Sequence, residues 1–96
     1  MITHELKDHS LWIHVIDNFT IDDFNTFQVA HQNADYDQII IDFSNATHID
    51  SGGLGMLLQL RSQLGDKADQ LILHSASEHI LKIFEVVNFD KLFKIT

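Results

Sequence analysis

Asp50, Ser51, Gly52, Gly53, Leu54 and Gly55 are the residues of this 96-residue chain whose types and spacing can do chemistry. A carboxylate and a hydroxyl stand side by side just ahead of glycines that free the backbone to turn, and Asp and Ser oxygens suit the exposed amides of a helix start. Ser51 can therefore be a helix cap, a modified hydroxyl, or a nucleophile with His48 as its base. Nucleophilic catalysis needs the base and an orienting group in line, and two residues three apart across a tight turn give no reason for alignment. Asp50 reads as shaping the loop through amide hydrogen bonds rather than as an acid or base. The glycine string lacks both the lysine of a phosphate-binding loop and the spacing of a dinucleotide fingerprint, which leaves nucleotide binding a minor reading. His4, His9, His14, His31, His48, His74 and His79 contain no i, i+4 pair and the chain has no cysteine, so neither a metal nor a cofactor is expected.

Those residues need a strand before them and a helix after them. Ile39, Ile40 and Ile41 read as a short strand covered on both faces, with Asp42 to Thr47 breaking the run. From Leu54 onward, Leu54, Met56, Leu57, Leu58, Leu60 and Leu64 cover roughly half of a helix circumference, more than the ~100° stripe that one core face needs. The flank at Leu54 and Leu58 is thus surface that a partner can cover. Gln59, Ser62 and Gln63 mark the wet side, and Arg61, inside the apolar arc, is expected to snorkel.

The rest of the chain supplies support. Residues 4–8 suggest an edge strand turning at Asp8, His9 and Ser10, and Leu11, Ile13 and Val15 alternate with Trp12, His14 and Ile16 in a second strand that pairs antiparallel with it. Thr20 with Asp23 resembles a capping box, after which Ile21, Phe24, Phe27 and Ala30 make a helical stripe and Val29 falls off it. Gly65 and Asp66 stop the central helix, Leu71 to Leu73 form another strand, and Ser75 with Glu78 reads as a second capping pair. Ile80, Leu81, Phe84 and Val87 give a last helix ending near Asn88, and Leu92 to Ile95 a last strand. The order β-β-α-β-α-β-α-β is an α/β fold with a mostly parallel sheet of four to five strands.

Composition bounds what such a domain does. Ninety-six residues make one domain spanning 1–96 that buries about two thirds of its unfolded surface. A formal charge of −8 with only six Lys and Arg argues against nucleic acid, because a phosphate backbone demands clustered cations. The start, MITHELKDHS, lacks the regions of a signal peptide, and no apolar run approaches the ~20 residues of a membrane span. A cytoplasmic protein is expected, with no membrane partner.

Ile41, Asp42, Phe43 and Ser44, then Ile49 through Gly55 as IDSGGLG, then a leucine-rich helix, closely resemble the core of STAS domains, the anti-sigma factor antagonist family. The resemblance covers nearly the whole chain. It implies that Ser51 occupies the position of the serine that, in free-standing bacterial antagonists, is phosphorylated by an anti-sigma factor with a histidine-kinase-like ATP fold. It implies partner switching by a non-enzymatic protein, a monomer or weak dimer. The unphosphorylated form captures the anti-sigma factor kinase and frees a sigma factor, phosphorylation of Ser51 breaks the capture, and a metal-dependent phosphatase restores it. Thr20, Asp22, Asp23, Asp50, Ser51, Gly52, Gly53, Leu54 and Leu58 are the partner-binding residues so implied. Two departures stand out: Gly52 replaces the usual Ser or Thr, and Asp17, Asn18, Phe19 and Thr20 replace a Gly, Glu, Leu, Asp string, with Asp22 and Asp23 nearby. The alternative is a STAS subunit that scaffolds another complex, such as a lipid-transport ATPase, without control by serine phosphorylation.

Overall fold

Alternation of apolar residues builds the sheet outward from its second strand. In a computed structural model, which describes residues 1–32 and 34–96, the strands are β1 (Ile2–Lys7), β2 (Ser10–Phe19), β3 (Gln38–Ile49), β4 (Leu71–His74) and β5 (Lys94–Ile95), and the helices are α1 (Phe24–Gln32), α2 (Ser51–Leu64) and α3 (Glu78–Val86). The sheet order is β1-β2-β3-β4-β5, with β1 antiparallel to β2 and the remaining pairs parallel. This is the α/β order expected from the sequence.

Sequential parallel strands joined by right-handed crossovers place every crossover helix on the same face. The core accordingly has one side: Leu11, Ile13, Val15, Ile39, Ile41, Phe43, Leu71 and Leu73 meet Phe27, Met56, Leu57, Leu60, Ile80 and Phe84 from the helices. The expectation that the isoleucine run is covered on both faces is therefore corrected. Ile40 turns to the face without helices, where it pairs laterally with Trp12 and Ile72 on the adjacent strands, and those neighbours keep Ile40 and Ile72 buried.

Other boundaries shift for local reasons. Asp8 and His9, with φ of 51° and 66°, make a two-residue turn of the kind that suits hairpins, while Ser10 already belongs to β2 opposite Lys7. β3 does not break at Asp42 but continues to Ile49, because two register irregularities against β2 let it bury Phe43, Ala46 and Ile49 at three-residue spacing. Strict alternation is lost there, and with it the sequence signal for a strand. Ser77 rather than Ser75 caps α3, its Oγ accepting from Ile80 N–H at 3.3 Å; Ser75, at φ 58°, turns the chain out of β4. Gly65 ends α2 at φ 53° and Asn88 follows α3 at φ 62°, as their types suggest. Leu92 lies outside the last strand, which is only Lys94–Ile95. Arg61 lays its stem along the helix and donates from Nε to Leu92 C=O at 2.8 Å.

On the uncovered face, His14 bridges three strands. Its Nδ1 lies 2.7 Å from Asp42 Oδ2 on β3 and its Nε2 lies 3.3 Å from Glu5 Oε1 on β1, an arrangement that both ring nitrogens satisfy only as donors. Partial burial alone would lower the His14 pKa, but the hydrogen bonds to Asp42 and Glu5 outweigh it and hold the ring above its ordinary 6.5. The stabilisation from this bridge is complete below pH 6.5 and is lost as pH rises through the raised folded-state value. Urea unfolding of the native chain and of His14→Gln should show a stability gap that is widest below pH 6.5 and narrows as pH rises through the raised folded-state value. A gap that does not change with pH would show that the imidazolium contributes nothing.

Candidate functional site

Phe19 and Ile49 are register partners on β2 and β3, so both strands leave the sheet at the same level. One chain enters the Thr20 turn and the other enters α2. Thr20 sits in extended conformation ahead of a 3₁₀ turn, Ile21–Asp23, that leads into α1. Its Oγ1 accepts from Asp22 N–H at 3.3 Å and its own N–H donates to Asp23 Oδ2 at 3.1 Å. The capping box is thus formed with Asp in place of the usual Glu.

Asp50 performs the equivalent task for α2. Its Oδ1 accepts from Gly53 N–H at 2.9 Å and its carbonyl accepts from Leu54 N–H at 3.0 Å, leaving Ser51 as the first helical residue. Ser51 is exposed, and among the described residues its hydroxyl has no hydrogen-bond partner. The cap is Asp50, not Ser51. His48 does not form a dyad with it: its ring lies 3.3 Å from Thr47 Oγ1 and 6.1 Å, centroid to centroid, from the His79 ring. Among the described residues, no group of three or more His, Asp or Glu side chains is placed to hold a metal.

The turn expected at the glycines is not formed, because Gly52, Gly53 and Gly55 lie within α2 without positive φ; what two of them supply instead is room for close approach, which explains why the two chains meet. A Cβ on Gly53 would stand 2.3 Å from Phe19 C=O and 3.0 Å from the Phe19 ring, so only glycine lets α2 seat against the end of β2. A Cβ on Gly52 would stand 3.0 Å from Ile21 Cβ. The close approach brings the Thr20–Asp23 turn beside the start of α2, which joins two stretches that are about thirty residues apart in sequence. Asp22, Asp50 and Ser51 are exposed, and Thr20, Asp23, Gly52 and Leu54 are half-buried. Gly53 is buried and contributes by close packing rather than by presenting a surface. Leu58, one turn beyond Leu54, is 42% exposed, as the wide apolar arc of α2 anticipates.

Ile21 is the residue that the helical pattern misplaces. Its spacing to Phe24 and Phe27 suggests a core stripe, yet the stripe begins at Phe24 and Ile21 is 59% exposed. It belongs to the short turn before α1 and packs over Gly52. Nothing in a one-dimensional pattern distinguishes those two positions, because the neighbour that claims Ile21 comes from another part of the chain.

The glycines should respond in opposite directions to the same substitution. Gly53→Ala must displace backbone and should lose about 2–4 kcal/mol. Gly55→Ala, whose Cβ meets nothing within 4 Å, should gain about 0.5–1 kcal/mol from reduced backbone freedom. Urea midpoints of the two variants measure both, and an unshifted midpoint for Gly53→Ala would refute the close approach.

Comparison with known proteins places this geometry in a family. Residues 5–96 match the STAS domain family. A STAS-domain containing protein of Pseudomonas aeruginosa strain UCBPP-PA14 is 44% identical over 57 residues, which are 59% of this chain and 56% of that protein; the match spans little more than half of that relative. Among solved structures, the anti-sigma factor antagonist SpoIIAA in its unphosphorylated form superposes with a TM-score of 0.79 at 18% identity, covering 100% of this chain and 88% of that one. SpoIIAA of Bacillus in its phosphorylated form gives 0.71 at 18% identity, with 100% and 91% covered. The protein TM1081 of Thermotoga maritima gives 0.82 at 20% identity, with 100% and 80% covered. Identities this low establish the fold alone, whereas the family match runs through the sheet, all three helices and the Asp50–Gly55 loop: the chain belongs to the STAS domain family.

Proposed function

We propose that this chain is a non-enzymatic anti-sigma factor antagonist of the cytoplasm. It binds an anti-sigma factor with kinase activity when Ser51 is free, releases it when Ser51 is phosphorylated, and is reset by a phosphatase. The observation that carries this reading is the Ser51 hydroxyl itself, exposed and unbonded on the first turn of α2 while its neighbour does the capping. Around it lie an exposed apolar pair, Ile21 and Leu58, and exposed carboxylates at Asp22 and Asp50. A partner that fits this face supplies an apolar hollow for these side chains.

Physical chemistry supports a switch felt by the partner rather than by the fold. Phosphorylation adds about −1.5 to −2 charges. At a helix N-terminus the dipole favours such a charge by about 0.3–1 kcal/mol, and the adjacent Asp50 carboxylate opposes it. The two effects largely cancel within the chain. A docked partner, by contrast, must desolvate the new charge, which costs several kcal/mol unless a cation meets it.

Affinity purification from the native cell, followed by titration of the partner, tests the proposal. Ser51→Ala should retain binding of a kinase-like anti-sigma factor, and Ser51→Asp should weaken it about 100-fold or more, equivalent to about 2.7 kcal/mol, while circular dichroism stays unchanged. Recovery of an ATPase that binds all three forms equally would assign the scaffold role instead, and global refolding of Ser51→Asp would overturn the electrostatic account.

A further inference from the structure

The outer edge of β1 has no strand beside it, since the sheet order places β1 at one end. Met1 and Ile16 exchange backbone hydrogen bonds at 2.8 and 3.2 Å. Alternation along the antiparallel pair therefore turns the N–H and C=O groups of Ile2, His4 and Leu6 outward. Such a row is a template for another strand unless proline, a bulge, edge charges or an inward charge blunts it, and β1 carries Glu5 and Lys7, which a pairing strand must complement. β1 has no proline and pairs with β2 without a register shift. On its helix side Leu6 is 56% exposed, and next to it Leu11, Val29, Ala30 and Ala34 help to line an open hollow of about 420 Å³.

We infer that this edge pairs with the same edge of a second copy of the chain, antiparallel about a two-fold axis at Leu6. Opposite charges at Glu5 and Lys7 and the exposed Leu6 favour this occupant and this register. The ladder forms only if outward-facing residues oppose each other. Placing His4 opposite His4 or Glu5 opposite Glu5 sets like groups face to face, which is unfavourable in a cross-strand pair. With Leu6 opposite Leu6, Glu5 of each copy faces Lys7 of the other on the open side and the two leucines share the apolar hollow on the helix side; the ladder is short, since His4 then comes opposite the Asp8 turn. α1 lies over β1 and β2, so a strand spacing of about 4.8 Å sets it roughly 10 Å from its mate, a separation at which helices pack. The exposed Val29 stands on the side of α1 that lines this hollow.

Sedimentation equilibrium at physiological salt tests the pairing. The native chain should self-associate with a Kd tighter than about 1 mM, and Leu6→Lys should weaken it about tenfold or more. Lys7→Glu sets two carboxylates against each other in each cross-strand pair, and Glu5→Lys sets two ammonium groups there, so each variant alone should associate less. An equimolar mixture of the two should recover association, because every cross-strand pair is again a carboxylate with an ammonium. A covalent readout needs neither charge variant: the chain has no cysteine, and Leu6→Cys should oxidise to a disulfide dimer faster than Val86→Cys, a control site 79% exposed on α3. A native chain that stays monomeric to about 1 mM, a mixture no tighter than its components, or equal oxidation at the two cysteines would overturn the inference.

Discussion

A single close approach, the Gly53 backbone against the Phe19 carbonyl, holds together the end of the domain that carries Ser51. It leaves no room for a Cβ, with Phe19 C=O only 2.3 Å from where one would stand. Seated there, α2 begins at the level where β2 and β3 both leave the sheet, and the Thr20–Asp23 turn is pressed beside Gly52. Phe19 also stands within an aromatic row through the core, in edge contact with Phe27 at 5.3 Å on one side and Phe43 at 6.1 Å on the other, with Phe43 in turn 5.5 Å from Phe84 on α3. A disturbance at the glycine is therefore a disturbance of the core, since close-packed interiors transmit strain. The start of α2 is thus held by the aromatic core.

The sheet topology imposes a second constraint. Because all crossover helices fall on one side, the other side of a five-stranded sheet faces solvent and cannot rely on a second layer. The chain answers with groups that tolerate water. Trp12 lies alongside the His14 ring and meets His74 edge-on, with centroids 6.0 and 5.8 Å apart, over a face that also carries Ile40 and Ile72. His14, held between Asp42 and Glu5, fastens β1 to β3 across β2. Burial alone would raise the Asp42 pKa, but the Ser44 N–H at 3.0 Å and the His14 ring lower it below its ordinary 3.8. Asp42 thus stabilises the fold above pH 3.8, and that contribution is lost as pH falls through its lowered value. The uncovered face is consequently held by polar contacts in the range between the two titrations.

Most of the architecture is legible because local chemistry and global fold agree. The alternation of Leu11, Ile13 and Val15, the Thr20–Asp23 box and the Gly65 and Asn88 stops each specify by residue type the conformation that they adopt. The misreadings at β3, Ile40 and Ile21 share one physical source, which is neighbours contributed from elsewhere. β3 reads too short because its second half buries every third residue against an irregular β2. Ile40 reads as a two-sided core residue because the run of three isoleucines does not reveal that one face lacks helices. Ile21 reads as the start of a stripe because its claim on Gly52 depends on a contact across about thirty residues of chain. In the site itself, the identity of the loop is readable and its rim is not: Asp50 can be recognised as a cap by type, but which side chains stand beside Ser51 is set by the packing of β2 against α2.

The separation of cap from hydroxyl gives that site its character. A serine that caps its own helix holds its oxygen in a bond to the backbone, and modifying it would remove the cap, at a cost of about 0.5–2 kcal/mol to the helix. Here Asp50 accepts from Gly53 N–H at 2.9 Å, and Ser51 stands one residue further along with its oxygen free. The helix start therefore survives any change at that oxygen. Gly52 and Gly53 extend the logic, since the first turn of α2 carries no side chain after Ser51 until Leu54. Ile21 packs over Gly52, the residue that follows Ser51. A group added at the Ser51 hydroxyl would leave the Asp50 cap, and with it the start of α2, in place.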